Sequence, residues 1–347
     1  MQHNPLGRTG LEVSELCLGT MTFGTQTPAN IAHAQIDMAL AHGVNILDTA
    51  EMYPVNPMRK ETQGDSERTI GDWIAKSGRR DEILIATKCS GAGHMNVRDG
   101  APISAQTIEI AVESSLQRLR TDVIDLYQLH WPNRGSYMFR QNWSYDPTHQ
   151  NRVEMQDHVL QVLETLAKLR AQGKIRHIGL SNESAWGTAQ WLRISEDCDL
   201  PRMASIQNEY SLLCRLFDLD LAELAHHEDV GLLAFSPLAA GMLTGKYAAD
   251  LIPAGSRRTF SGNLGGRVTP RVWPAIDAYT AIARKHGLDP VHLALAWCRT
   301  RRFVASAIFG ATTLAQLEQA LASADVSLSA EVLADIDAAH RAHPMPF

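Results

Sequence analysis

Ile83-Leu-Ile-Ala-Thr-Lys88, a helical pattern over about Ala105–Leu119, and then Val123-Ile-Asp-Leu-Tyr-Gln-Leu-His130 together read as one strand–helix–strand unit. Two β-rich runs separated by a long amphipathic segment cannot form a tight hairpin; they run parallel, joined by a crossover helix. The residues around this unit repeat its rhythm in both directions.

Toward the N-terminus stand Val44-Asn-Ile-Leu-Asp48 and Leu16-Cys-Leu-Gly-Thr-Met21, each followed by a helix, about Ser66–Lys76 and Ala29–His42. Gly43 is placed as a C-cap and Asp65 as an N-cap. Leu6–Val13 reads as a hairpin about Arg8-Thr9-Gly10. Toward the C-terminus, strands are predicted at Ile175–Leu180, Met203–Gln207, Gly231–Phe235 and Phe303–Ile308. Helices fall at about Val159–Gln172, Ala185–Ile194, Leu219–His227, Val272–His286, Pro290–Arg299, Leu314–Ser323 and Ala330–Ala342. Eight successive strand–helix units close into a (β/α)₈ TIM barrel, of the α/β class, with an N-terminal hairpin, long rim loops and extra C-terminal helices. No Gly/Pro/Ser-rich linker divides the chain, so residues 1–347 are expected to form a single barrel domain. An open doubly wound sheet would need a glycine fingerprint after its first strand, and Leu18-Gly-Thr-Met-Thr-Phe-Gly24 is not one.

With 45% hydrophobic and 20% charged residues the chain can build a large core. A net charge of −6 offers no global attraction for nucleic acid or anionic lipid. The five cysteines are scattered, without metal-ligand spacing or a disulfide framework, and no metal is expected. No signal peptide or spanning segment is read, so the expectation is a soluble cytoplasmic protein.

In a barrel all strand C-termini share one rim, which brings Asp48, Tyr53, Lys88 and His130 together. Lys88 ends an apolar run and needs a counter-charge, which Asp48 on the adjacent strand can supply. A tyrosine pKa of about 10 is high for proton transfer, and a nearby lysine is expected to lower it. His130 would then donate or accept at a substrate oxygen, which makes a site for reducing a carbonyl.

Asp48-Thr-Ala-Glu-Met-Tyr53, Ala86-Thr-Lys88 and Asp125-Leu-Tyr-Gln-Leu-His130 resemble the catalytic motifs of the aldo/keto reductases, (β/α)₈ enzymes dependent on NADP(H). Gly173–Asn182, Gln207–Ser211, Phe235–Leu238 and Gly241–Lys246 extend the resemblance over nearly the whole chain, most closely to the bacterial Tas-type branch, related to potassium-channel β-subunits. The resemblance implies that Ser181, Asn182 and Gln207 bind the nicotinamide carboxamide and that Phe235 stacks on the ring. It implies that Ser236, Leu238 and Gly241 line the pyrophosphate path, with Lys246 and Arg257 or Arg258 on phosphates. Gly310, Thr312 and Gln316 match its adenosine-phosphate segment. Related sequences often carry Glu then Asn just beyond it, where this chain has Gln319 and Ala320.

The expected cofactor is NADPH and the expected partner a small-molecule aldehyde or ketone. The loop Trp131–Asp157 carries Trp131, Tyr137, Phe139, Trp143 and Tyr145 beside Arg134, Arg140 and Arg152, which would suit an aromatic or carboxylate-bearing carbonyl unless the loop packs on its own aromatic residues. The alternative to an enzyme is an NADP(H)-binding regulatory or redox-sensing subunit.

Overall fold

The computed structural model describes residues 1–347. A hairpin of β1 (His3–Pro5) and β2 (Glu12–Ser14) comes first, its turn closed by the Leu6 amide on the Leu11 carbonyl at 2.8 Å. Eight parallel strands follow: β3 (Leu16–Gly19), β4 (Ile46–Asp48), β5 (Leu84–Cys89), β6 (Ile124–Leu129), β7 (Ile175–Ser181), β8 (Met203–Glu209), β9 (Gly231–Phe235) and β10 (Val304–Phe309). β10 pairs with both β9 and β3, which closes the barrel.

The helices between them are α1 (Ala29–Ala41), α2 (Asp65–Ser77), α3 (Ala105–Leu119), α4 (Arg152–Ala171), α5 (Ala185–Asp197) and α6 (Asp220–Glu228). α7 (Val272–Lys285) and α8 (Pro290–Arg299) both lie between β9 and β10, and α9 (Leu314–Ala322) and α10 (Ala330–Ala342) finish the chain. No helix is long and apolar enough to cross a membrane.

Local chemistry explains the helix ends. Ser104 and Thr107 form a reciprocal capping box on α3, and Asp289 caps α8 ahead of Pro290, which needs no amide partner at that position. Two expected boundaries differ. α2 begins at Asp65 itself, with Gly64 as N-cap at φ 79°, a conformation an aspartate adopts at a cost. α4 starts at Arg152 rather than near Val159, because the Asn151 side chain accepts from the amides of Val153 and Glu154. Its first two turns are largely exposed, with only Met155 buried, so no apolar period announced them.

The main core, a cluster of 75 buried residues, lies largely between strands and helices, whereas a cluster of nine, among them Leu6, Cys17, Ile46, Ala86, Leu126 and Leu233, fills the lower barrel interior over the hairpin. Above that plug the interior is polar. The ends of β4 to β9 surround it, together with two long connections, residues 130–151 and 236–271.

Candidate active site

Asp48 ends β4 and Lys88 lies on β5, where it pairs with Gln128 of β6 in register. The Lys88 ammonium is fully buried and donates to both Asp48 oxygens at 2.8 Å and to the Thr49 carbonyl at 2.6 Å. Burial alone pushes the lysine pKa down; the Asp48 carboxylate leads the opposing effects and holds it above the ordinary value. Lys88 is therefore a fixed cation.

Tyr53 sits in the β4–α2 connection with Lys88 Nζ 5.0 Å from its ring centroid. Burial raises the phenol pKa and the Lys88 charge only partly offsets it, so the tyrosine stays above 10. The expected depression is thus reversed in the protein alone: desolvation of a packed loop residue outweighs one cation. His130 follows β6, edge-on to Tyr53 at 5.9 Å between centroids and against Trp131 at 4.9 Å. Burial first, then the charges of Lys88 and His94, push its pKa well below 6.5, so the imidazole is neutral. Its Nδ1 is sealed without a partner.

The tyrosine loop is anchored by a residue between the two motif ends. The buried Glu51 carboxylate accepts from the Ser90 amide at 2.5 Å and pairs with Arg98, while the Glu51 amide bonds the Lys88 carbonyl at 3.3 Å. Cys89 points away from Lys88 into the outer core, where burial raises its thiol pKa and leaves it inert.

On β7 and β8 the proposed carboxamide residues meet the same network. Gln207 Nε2 donates to Asp48 Oδ1 at 2.8 Å and to Gln128 Oε1 at 3.3 Å. Ser181 Oγ donates to the Gln207 carbonyl at 2.8 Å, and Asn182, left-handed at φ 54°, donates from Nδ2 to the His130 carbonyl at 2.9 Å. Asn182 Oδ1 is buried with no partner, an acceptor suited to a carboxamide N–H. Gln128 is not among the residues expected from the sequence, although it stands two residues before His130 and so faces the same side of the strand.

Phe235 ends β9 half-buried over the interior plug. Ser236 at φ 55° and Gly241 at φ 92° turn the chain there, with Leu238 half-buried between them. A Cβ at Gly241 would meet only the movable end of the Lys246 side chain, at 2.8 Å from Cε, so it is the left-handed backbone that favours glycine here. Lys246 is held below its ordinary pKa by burial and then by Arg257. Arg257 pairs with no carboxylate, and burial followed by the Arg267 charge draws it down to about 10. Arg258 is committed instead to Asp250 at 2.8 Å and lies against the rings of Tyr247 and Trp273. The two adjacent arginines are thereby separated, one structural and one free.

Gly310, Thr312 and Gln316 stand together after β10, apart from the hydrogen-bonded network around Asp48. Gln316 Oε1 accepts from the Thr312 amide and hydroxyl at 2.9 and 3.1 Å. Gln319 Nε2 donates to Asp289 at 2.9 Å, and Ala320 is buried and brings no polar side chain to the second position of a Glu–Asn pair.

The arginines of the first long loop are largely occupied. Arg134 pairs with Glu183, Arg140 with Glu209 at 2.6 Å, and Arg152 belongs to α4. Tyr137 and Tyr145 pack edge-on, which supports a loop ordered by its own aromatic residues. Glu209 also receives Arg267 of the second long loop at 2.7 Å, joining both loops at the end of β8. Elsewhere His286, Glu331 and Asp335 converge, but Lys285 supplies the cation of that partly exposed group at 3.3 and 2.7 Å from the two acids.

The aldo/keto reductase family model matches residues 15–341. The chain is 44% identical to Protein tas of Escherichia coli over all of this chain and 99% of that one. It is 30% identical to a probable voltage-gated potassium channel subunit beta of Arabidopsis thaliana, over 94% and 92% of the two chains. It is 28% identical to norsolorinic acid reductase of Emericella nidulans, over 94% and 78%.

Proposed function

Since the chain belongs to the aldo/keto reductase family of oxidoreductases, we propose that it reduces an aldehyde or ketone with NADPH, using Tyr53 as general acid. The observation that carries this reading is the fully buried Lys88, held by both oxygens of Asp48 beneath Tyr53 and beside a neutral His130. When bound, the dinucleotide supplies a hydride to the carbonyl carbon.

Tyr53 gives its proton to the oxygen as negative charge develops there. The phenolate left behind is stabilised by Lys88, whose charge Asp48 maintains. His130, neutral and with Nδ1 sealed, orients the carbonyl by donating from Nε2; that tautomer leaves an unpaired acceptor rather than an unpaired N–H inside. Asn182 and Gln207 hold the carboxamide, and Phe235 supports the ring face. Ser236, Leu238 and Gly241 bring the backbone close to the diphosphate. Lys246 and Arg257 supply uncompensated positive charge, which supports NADPH over NADH. Gly310, Thr312 and Gln316 receive the adenosine end, favoured by the amides at the start of α9.

The likeness to a probable channel β-subunit favours one second reading, an NADP(H)-binding regulatory subunit with weak turnover. Cofactor oxidation across a panel of aldehydes, ketones and quinones separates them. Turnover with NADPH exceeding that with NADH supports the reductase; tight NADPH binding without turnover on any carbonyl supports the subunit.

A further inference from the structure

We propose that Gln128 is a positioning residue that accepts the second hydrogen of the Gln207 amide, whose polarity Asp48 fixes, and so holds that amide in place, so that this site recognises the cofactor carboxamide through its N–H groups and rejects the matching carboxylate. The inference rests on the nicotinamide-cofactor reading above and assigns a role to a residue outside the motif tetrad.

Asp48 fixes the direction of its neighbours. Its two oxygens face the Lys88 ammonium, so it is a carboxylate, and a carboxylate only accepts hydrogen bonds. The Gln207 atom 2.8 Å from Asp48 Oδ1 must therefore be the amide nitrogen. That nitrogen carries two hydrogens. The second goes to Gln128 at 3.3 Å, which must present its oxygen in turn. With both hydrogens used inward, the Gln207 side chain makes its protein hydrogen bonds through Nε2, and Oε1 is left as an acceptor.

Asn182 is oriented by the same logic. Its nitrogen donates to the His130 carbonyl at 2.9 Å and to Ser181 Oγ at 3.1 Å, which leaves Oδ1 without a partner. The site thus offers two side-chain acceptors and no side-chain donor from this pair. A primary carboxamide brings two N–H groups to them; a carboxylate would set lone pairs against lone pairs.

Gln128 itself shows the cost of the arrangement. It is fully buried, its own Nε2 has no partner, and the residue one layer lower on the same strand face is the apolar Leu126. An aliphatic side chain would remove that unpaired donor, but it would also leave the second Gln207 hydrogen without an acceptor. What the glutamine contributes is the second anchor of an amide whose direction Asp48 sets.

The test is equilibrium binding, read by intrinsic fluorescence, of NADP⁺ and of its nicotinic-acid analogue, in which the carboxamide is a carboxylate. The variants are Gln128→Met, close in volume and lacking the acceptor, Gln128→Glu, which keeps an oxygen facing Gln207, and Ser205→Ala. Ser205 Oγ lies in the same interior wall with no partner, so it controls for a change of wall packing. The wild type is expected to bind the amide at least about a hundredfold tighter than the acid. Gln128→Met should weaken the amide form about tenfold and leave the acid form unchanged. Gln128→Glu and Ser205→Ala should keep the wild-type preference. Equal binding of amide and acid by the wild type overturns the proposal without any variant. An unchanged preference in a folded Gln128→Met, or loss in Gln128→Glu equal to that in Gln128→Met, overturns the role of Gln128 alone. Failure of the wild type to bind either dinucleotide overturns the cofactor reading on which the proposal stands.

Discussion

At the scale of single residues, the site depends on charges fixed by burial. Lys88 cannot lose its proton cheaply while Asp48 holds it, and His130 cannot gain one cheaply because it is buried and then because Lys88 stands beside it. The sign for pH follows. In the proposed reaction a neutral His130 is the working form, and its pKa is displaced below 6.5, so kcat/KM for reduction should not fall as pH drops to 6.5 and should decline only in more acid solution. The proposed reaction also needs a protonated Tyr53, whose pKa is displaced above 10, so the basic limb of the same profile should lie beyond that value in the free protein. A profile of kcat/KM against pH that halves near 6.5 would contradict the neutral-imidazole assignment. Asp48→Asn removes the charge that keeps Lys88 protonated; kcat should fall by about 10²-fold or more, with a smaller change in NADPH affinity. The residue types were legible from their strand-end positions, but the direction of the Tyr53 shift was not. Burial of a loop tyrosine depends on the cluster of Ala50, Met52, Val55 and Val97 against which it packs, and the distant Val97 is encoded by no local pattern.

At the scale of elements, the two long loops act through paired arginines. Arg258 binds Asp250, the carbonyls of Asp250 and Leu251, and two aromatic faces, all within its own loop and α7. Arg258→Ala should therefore lower the melting temperature, since it leaves Asp250 and those carbonyls without their donor. Arg257→Ala should leave the melting temperature nearly unchanged and weaken NADPH binding by about tenfold or more, with a smaller effect on NADH. The reverse pattern in thermal denaturation and cofactor titration would exchange their roles. Glu209→Gln strips the charge shared by Arg140 and Arg267, so both loops should loosen and NADPH should dissociate faster in stopped-flow measurements. The sequence could not show this clamp. Glu209 lies two residues beyond the expected end of β8, and Arg267 is 58 residues further along.

For the whole molecule, the barrel was legible because each strand is a short apolar run set off by Gly, Pro and polar residues, and the strand of Gly231–Phe235 was placed to the residue. Long-range partners were less so: the polar floor joining Lys88, Asp48, Gln207 and Gln128 spans β4, β5, β6 and β8, and only barrel closure makes those side chains neighbours. Gln128 was available in principle from strand alternation, but a glutamine in an apolar strand carries no chemical signature until its neighbours are known. The central claim is that this convergence serves proton transfer from Tyr53 to a reduced carbonyl. Its most direct test is NADPH consumption with the best carbonyl of the panel by wild type and Tyr53→Phe, alongside NADPH binding to each. The account predicts a kcat lower by at least about 10²-fold in Tyr53→Phe with NADPH affinity within about threefold of wild type. Wild-type turnover in Tyr53→Phe, at unaltered affinity, would contradict it.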